Sequence, residues 1–351
     1  MRIGIPKEVK VREGRVALIP AAAAELVDHG HEVSVQASAG ILSGYGDDDY
    51  RAVGVSVLPD AKEIYDYAQL LVKVKEPQAQ ELSLLRRDQV LFSFLHLAAE
   101  PTLLRGLQDI GLTAVAFETV QEANGRLPLL APMSDIAGRI AVQVGTHLLH
   151  MPQGGRGILL GGLPTVERGK VVILGAGEAG GNAAILAAAL GAEVTVFDRN
   201  RDKLARMRAL GANVTALYPF ADAIKKAVMQ ADLLIGAVLV VGARAPHLVT
   251  ADTVRQMQPG SVIIDISVDQ GGCIETTRPT NYENPTYVWE GVLHFGVTNM
   301  PGAVPRSASQ AISAALIPYL LTLASKGARA TPALAMGINV EGGKIVHPAL
   351  N

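Results

Sequence analysis

The stretch from 170 to 180, LysValValIleLeuGlyAlaGlyGluAlaGly, restricts the fold more than any other part of the chain. A β-branched run leads into Gly175, Gly177 and Gly180 in G-x-G-x-x-G spacing, and an Ala- and Leu-rich helical segment follows. Each glycine has its own physical reason. Gly175 permits the tight turn off the strand, Gly177 lets the backbone approach a pyrophosphate, and Gly180 lets the helix lie close on its strand. The helix start then offers unpaired N–H groups and the positive end of its dipole to phosphate. A further strand, Glu193–Phe197, ends at Asp198, an acid placed to accept hydrogen bonds from both ribose hydroxyls of an adenosine and to repel a 2′-phosphate. Strand, glycines, helix, strand and acid in that order point to a dinucleotide and favour NAD over NADP. Arg199 and Arg201 pull against that preference. Without a ligand, the same glycines would be no more than a turn.

A chain of 351 residues exceeds one ordinary core and implies two domains. Residues 1 to about 130 alternate short apolar runs with amphipathic stretches: strands at Arg2–Ile5, Glu32–Gln36, Leu70–Val74, Val90–Leu95 and Leu112–Phe117, and a helix at Ala21–His29. A second unit begins near Pro132. There Ser134 is expected to cap a helix reaching about His150, before strands at Lys170–Leu174, Glu193–Phe197, Leu233–Ala237 and Ser261–Ile266. Strand–helix alternation in both halves predicts an α/β protein of two Rossmann-like domains, each a mostly parallel sheet flanked by helices, with a cleft between them. An apolar helix from Ala308 to about Ser325 is expected to return to the first domain. The tail after Lys326 is too irregular to assign. The boundaries expected are 1–130 plus 305–351 for the substrate domain and 131–304 for the NAD-binding domain.

Composition removes several classes. Lys plus Arg (31) nearly balance Asp plus Glu (33), which gives no general attraction for nucleic acid or anionic lipid. The single cysteine, Cys273, excludes an internal disulfide and a thiolate metal cage. No H-E-x-x-H or C-x-x-C motif argues for a metal. The charged N-terminus lacks a signal-peptide core, and Ser307–Ser325 contains Gln310 and Pro318 and reads as a packing helix, so a cytoplasmic protein is expected.

Four polar positions ask for an explanation. ValLysValLys (72–75) puts two lysines on one face of an expected strand. A solvated face is the ordinary reading, but Pro77 ends the run and leaves Lys75 near the strand end, where α/β enzymes place sites. His96 lies in the apolar run 91–98, as either a core histidine or a tuned acid–base group. Arg15, in ArgGluGlyArgValAla, is either a surface charge or a clamp for a small carboxylate. Asp269 follows an apolar strand and precedes Gln270 and two glycines, as either a turn residue or a carboxylate at the edge of the nucleotide sheet.

These residues fall within motifs that resemble the NAD-dependent L-alanine dehydrogenases, of the alanine dehydrogenase/transhydrogenase N-terminal family, along essentially the whole chain. The matching stretches are MetArgIleGlyIleProLysGlu (1–8), Arg15–Leu18, ValLysValLysGluPro (72–77), PheSerPheLeuHisLeuAla (92–98) and ProMetSer (132–134). They continue through 175–180, IleGlyAlaValLeuVal (235–240), AspGlnGlyGlyCys (269–273) and ValThrAsnMetProGlyAlaValPro (297–305). The resemblance implies that Arg15 and Lys75 hold the substrate and that His96 and Asp269 are the catalytic pair. It implies nucleotide contacts at Ser134, Gly175, Gly177, Glu178, Ala179, Gly180, Asp198, Lys203, Val238, Leu239, Ile266, Ser267, Val268, Asp269, Arg278, Val297, Thr298, Asn299 and Met300. It further implies a first domain completed by the C-terminal helices and a homo-oligomer, with a hexamer favoured. Arg199 departs from the family pattern, where a neutral residue is expected.

The implied reaction is L-alanine, NAD and water giving pyruvate, ammonium and NADH. Asp269 or His96 would take the proton and activate water; His96 or Lys75 would polarise the carbonyl oxygen. Rival readings are the NAD-binding subunit of a transhydrogenase, a dehydrogenase for another small or lysine-type amino acid, and a non-enzymatic NAD sensor. The substrate constellation, and an end at Asn351 without a membrane anchor, weigh against the transhydrogenase.

Overall fold

A computed structural model describes residues 1–238 and 246–350. The chain divides into two units, residues 1–133 with 302–351 and residues 134–301.

In the first unit the strands are β1 (Arg2–Ile5), β2 (Glu32–Gln36), β3 (Ser56–Leu58), β4 (Leu70–Val72), β5 (Val90–Ser93) and β6 (Thr113–Ala116). The second unit contributes β7 (Lys170–Leu174), β8 (Glu193–Phe197), β9 (Val214–Leu217), β10 (Leu233–Gly236), β11 (Val262–Asp265), β12 (Thr286–Trp289) and β13 (Val292–Phe295). Two strands from the C-terminal region, β14 (Ile338–Glu341) and β15 (Lys344–Ile345), return to the first sheet.

The first sheet has the order β15-β14-β6-β5-β4-β1-β2-β3, parallel from β1 to β6, with β14 and β15 antiparallel at one edge. The second has the order β12-β13-β11-β10-β7-β8-β9, parallel except for β12. Both therefore reverse direction beside their first strand, β1 or β7, which is the switch point where doubly wound sheets bind ligands. Their central strands read as continuous apolar runs because helices cover both faces: Leu70–Val72 and Val262–Asp265 are buried throughout.

Three expectations need correction. The helix expected to start after Ser134 runs from Ala131 to Leu148, so Ser134 lies inside it and is not its cap. The lysine run is not a solvated strand face: β4 stops at Val72, and Lys73 is fully buried. The tail after Lys326 is ordered, with Thr331 capping the helix Pro332–Gly337 ahead of β14 and β15.

The helix Pro305–Lys326 is long and apolar enough to cross a membrane by length and composition alone. Its buried positions, among them Ala308, Ile312, Leu316, Leu320 and Leu323, recur at helical spacing, as expected of a helix packed in a core.

Candidate active site

In the first unit the chain leaves β1 into a charged segment, residues 6–19, before the helix Pro20–Asp28 begins. Arg15 lies in this segment and is buried rather than a surface charge. Glu13 grips it in a fork, with Arg15 Nε and Nη2 donating to the two carboxylate oxygens at 2.7 and 2.6 Å. Arg15 Nη1 lies 3.3 Å from Met133 Sδ. The C-terminal helix fixes the backbone just beyond. Ser309 Oγ accepts from Val16 N at 2.9 Å, and Ser313 Oγ accepts from Ile19 N at 3.0 Å. Both serines are buried, and in the sequence they looked like ordinary small residues of a packing helix.

Lys75 follows β4 and is half-buried. Burial, and then the Arg15 guanidinium, lower its pKa from the ordinary lysine value. Beneath it lies a charge cluster that the sequence did not announce. The Lys73 ammonium is 2.6 Å from Glu81 and 3.5 Å from Glu8, and Tyr65 Oη donates to Glu81 at 2.8 Å. Two acids share one base there, and burial raises the Glu8 carboxyl above its ordinary range.

His96 follows β5 and is half-buried, with its ring stacked on Phe94 at 5.8 Å between centroids. Its φ of 49° lies in the left-handed region, uncommon for a residue with a side chain. The structure thus brings Arg15, Lys75 and His96 onto the carboxyl side of one sheet, from the segments after β1, β4 and β5. Asp269 belongs to the second unit. It is exposed on a short 3₁₀ turn, Val268–Gln270, just past β11.

The glycine fingerprint behaves as its spacing implies. Gly175 has φ 99°, and a Cβ there would lie 2.5 Å from the Ala237 carbonyl across the switch point. A Cβ at Gly180 would fall 1.9 Å from the Gly175 carbonyl, so only glycine fits. A Cβ at Gly177 would meet no protein atom within 4 Å, which leaves the open approach that a pyrophosphate needs. Gly177 precedes the helix Glu178–Ala189, whose first residue, Glu178, is exposed, with Ala179 half-buried behind it. Asp198 accepts from Ala176 N at 2.7 Å and from Asn200 N at 2.8 Å, which fixes its carboxylate beside the glycine turn. Lys203 lies in the first turn of the helix that Asn200 caps. Ser134 sits next to Asp135, which accepts from Asn182 of the fingerprint helix at 2.8 Å. These donors and gaps suit a dinucleotide.

The other implied contacts follow the ends of the central strands. Val238 packs against the core after β10, and Leu239 lies outside the described residues. Ile266, Ser267 and Val268 lead to Asp269. Arg278 is exposed, with its guanidinium 4.5 Å over the Tyr287 ring and its backbone N–H donating to Tyr287 Oη at 3.0 Å. Val297, Thr298, Asn299 and Met300 follow β13, and Met300 O accepts from Tyr282 Oη.

Asp265, at the end of β11, was missed as a candidate. It is fully buried and accepts from Ser267 N and Oγ, Cys273 N and Thr277 Oγ1, at 2.8 to 3.0 Å. It thereby ties together the loop that carries Asp269. Among the described residues, no group of three or more His, Cys, Asp or Glu is placed to hold a metal.

The two sheets and the glycine cradle define a two-domain α/β protein of the nicotinamide-dinucleotide-dependent oxidoreductase class. Residues 4–137 match the family model for the alanine dehydrogenase/PNT N-terminal domain, and residues 141–348 match that for the C-terminal domain. The chain belongs to the alanine dehydrogenase/PNT family. It is 49% identical to an alanine dehydrogenase of Halomonas elongata, over 100% of this chain and 96% of that one. A solved L-alanine dehydrogenase superposes with a TM-score of 0.96 at 51% identity, covering 100% of this chain and 98% of that one. A transhydrogenase from Sinorhizobium meliloti superposes with a TM-score of 0.86 at 27% identity, covering 99% and 100%.

Proposed function

We propose that this chain is an L-alanine dehydrogenase, interconverting L-alanine, NAD and water with pyruvate, ammonium, NADH and a proton. Full-length identity near half to alanine dehydrogenases supports the reaction. The observation that carries the site is the placement of a buried arginine, a lysine of lowered pKa and a histidine just past the carboxyl ends of three adjacent strands, β1, β4 and β5. A site of this kind fixes a small carboxylate and handles protons.

Arg15, oriented by Glu13, supplies the planar cation for the substrate carboxylate. Lys75 donates a hydrogen bond to the carbonyl oxygen of pyruvate, and its lowered pKa makes it a stronger donor. His96 and Asp269 are the acid–base pair. One would take a proton from the ammonium of alanine and release it to solvent. It would then take a proton from the water that attacks the imine and return it to the nitrogen, which leaves as ammonia and is protonated to ammonium. The glycine turn and Asp198 would hold NAD, which would supply the hydride acceptor. The Asp198 carboxylate favours NAD over NADP.

We further place the enzyme in the cytoplasm as a homo-oligomer, with six copies favoured by the family resemblance. Small molecules are its partners; neither nucleic acid nor membrane is needed.

The test is to mix purified protein with pyruvate, ammonium and NADH and follow absorbance loss. Rapid oxidation dependent on ammonium supports the reading. Tight NADH binding without turnover would favour the transhydrogenase-like reading instead. Glyoxylate and 2-oxobutyrate in place of pyruvate rank the substrates, and NADPH ranks the cofactors.

A further inference from the structure

β4 and β5 are parallel neighbours, and a candidate site residue, Lys75 or His96, follows each of them shortly after it ends. Their backbone ladder continues a little past the strands. Lys73 N donates to Phe92 O at 3.1 Å, and Phe94 N donates to Val74 O at 3.2 Å. The next N–H groups of both chains turn to side chains instead. Val74 N donates to Glu8 Oε1 at 2.6 Å, and Lys75 N donates to the same oxygen at 3.4 Å. His96 N donates to Glu118 Oε1 at 2.6 Å, and Leu95 N donates to both Glu118 oxygens at 3.3 Å.

The two carboxylates come from the outer neighbours of this strand pair. Glu8 follows β1, which pairs with β4, and Glu118 follows β6, which pairs with β5. Each takes the place a ladder carbonyl would have taken had the sheet continued. Each receives the N–H of a site residue and of the residue before it. Hydrogen bonds of this kind to a carboxylate are short and about twice as strong as neutral ones. His96 has a particular need of one, because a left-handed backbone persists only where its surroundings over-determine it.

We propose that Glu8 and Glu118 are paired positioning residues, holding the backbones of Lys75 and His96 where the two strands end. The proposal rests on the reading of Lys75 and His96 as site residues. Neither carboxylate needs to touch substrate. Each sets where a reacting side chain starts, and a displacement of about 1 Å in such a side chain costs on the order of 100-fold in rate.

The experiment compares Glu118→Ala, Glu118→Gln and Glu118→Asp with the parent, His96→Ala and Lys75→Ala. Turnover, pyruvate KM, NADH Kd and thermal midpoint are measured on the full chain. Glu118→Ala is expected to lower kcat by on the order of 100-fold, with NADH Kd unchanged. Glu118→Gln keeps an acceptor oxygen and is expected to recover most of that loss. Glu118→Asp keeps the charge but falls one methylene short, so its kcat should fall clearly below that of the Gln variant. The same pair of substitutions at Glu8 should act on pyruvate KM through Lys75, with Glu8→Gln close to the parent. If Glu118→Ala does not fold, the Gln and Asp variants carry the test, with hydrogen exchange at the His96 amide as the direct readout. Equal kcat in the parent and both foldable Glu118 variants, while His96→Ala is inactive, overturns the proposal and leaves the site reading intact. Normal turnover in His96→Ala and Lys75→Ala would overturn the site reading itself.

Discussion

The two sheets share a strand order around their switch points, β3-β2-β1-β4-β5-β6 in one and β9-β8-β7-β10-β11-β13 in the other, but the chain leaves their first strands differently. After β7 it turns through Gly175 and Gly177 and enters a helix at Glu178. After β1 it runs through residues 6–19, carrying Glu8, Lys10, Glu13 and Arg15, before a helix begins. One switch point is left open at Gly177, where an added Cβ would meet no protein atom within 4 Å. The other is filled with charged side chains, several buried, that hold one another in place. Topology gives the two sheets equivalent switch points, and the length and charge of the first loop set them apart.

The comparison can be broken most severely at the buried charges. Lys73→Met leaves Glu8 and Glu81 without the base they share, so a loss of about 3–5 kcal/mol is expected by chemical denaturation. A variant as stable as the parent would mean that the cluster is not held by charge. On the other side, Gly180→Ala forces a methyl against the Gly175 carbonyl. A cost of roughly 1–3 kcal/mol in stability is expected, together with weaker NADH binding by titration. Neither Gly180 nor its neighbours supplies charge, so the two variants separate backbone approach from side-chain pairing.

Asp198→Ala sharpens the nucleotide half. Loss of a charged acceptor for the ribose should cost about 1.5–3 kcal/mol of NADH affinity while pyruvate KM at saturating NADH holds. Unchanged NADH affinity would remove Asp198 from the ribose site.

The smallest effect concerns Glu8 and depends on pH. Burial raises its folded pKa above the unfolded value of about 4.3. A group raised in this way contributes stability fully present below the unfolded pKa and lost as the pH climbs through the folded one. Glu8→Gln removes that loss. Its urea midpoint relative to the parent should therefore rise from pH 5 to pH 8; a flat difference would show that Glu8 stays unshifted in the fold.

The glycine cradle was legible in the sequence because its physics is local. Turn, approach and helix packing all fall within residues 175–180, and the structure shows each constraint where the spacing put it. Arg15, Lys75 and His96 were visible as residues out of place, but their surroundings were not. Glu13 lies only two residues from Arg15, but Glu8, Glu118, Ser309 and Ser313 act from the ends of other strands or from the far end of the chain, and only the fold brings them in. Asp265 was hidden in plain view, since a buried acid satisfied by Ser267, Cys273 and Thr277 looks like a strand-end residue until its donors are known. Ser134 erred in the opposite direction: a serine before an apolar run invites a cap, and the helix had already begun at Ala131. The lysines of 72–75 alternate like a half-solvated strand, but Glu8 and Glu81 draw Lys73 into the interior.

The most direct test of this division of labour is Lys75→Ala, measured for turnover of pyruvate, ammonium and NADH and for NADH affinity in the same preparation. The account predicts turnover nearly abolished and affinity unchanged, because the lysine serves the charged switch point and not the open one. Normal turnover would contradict it.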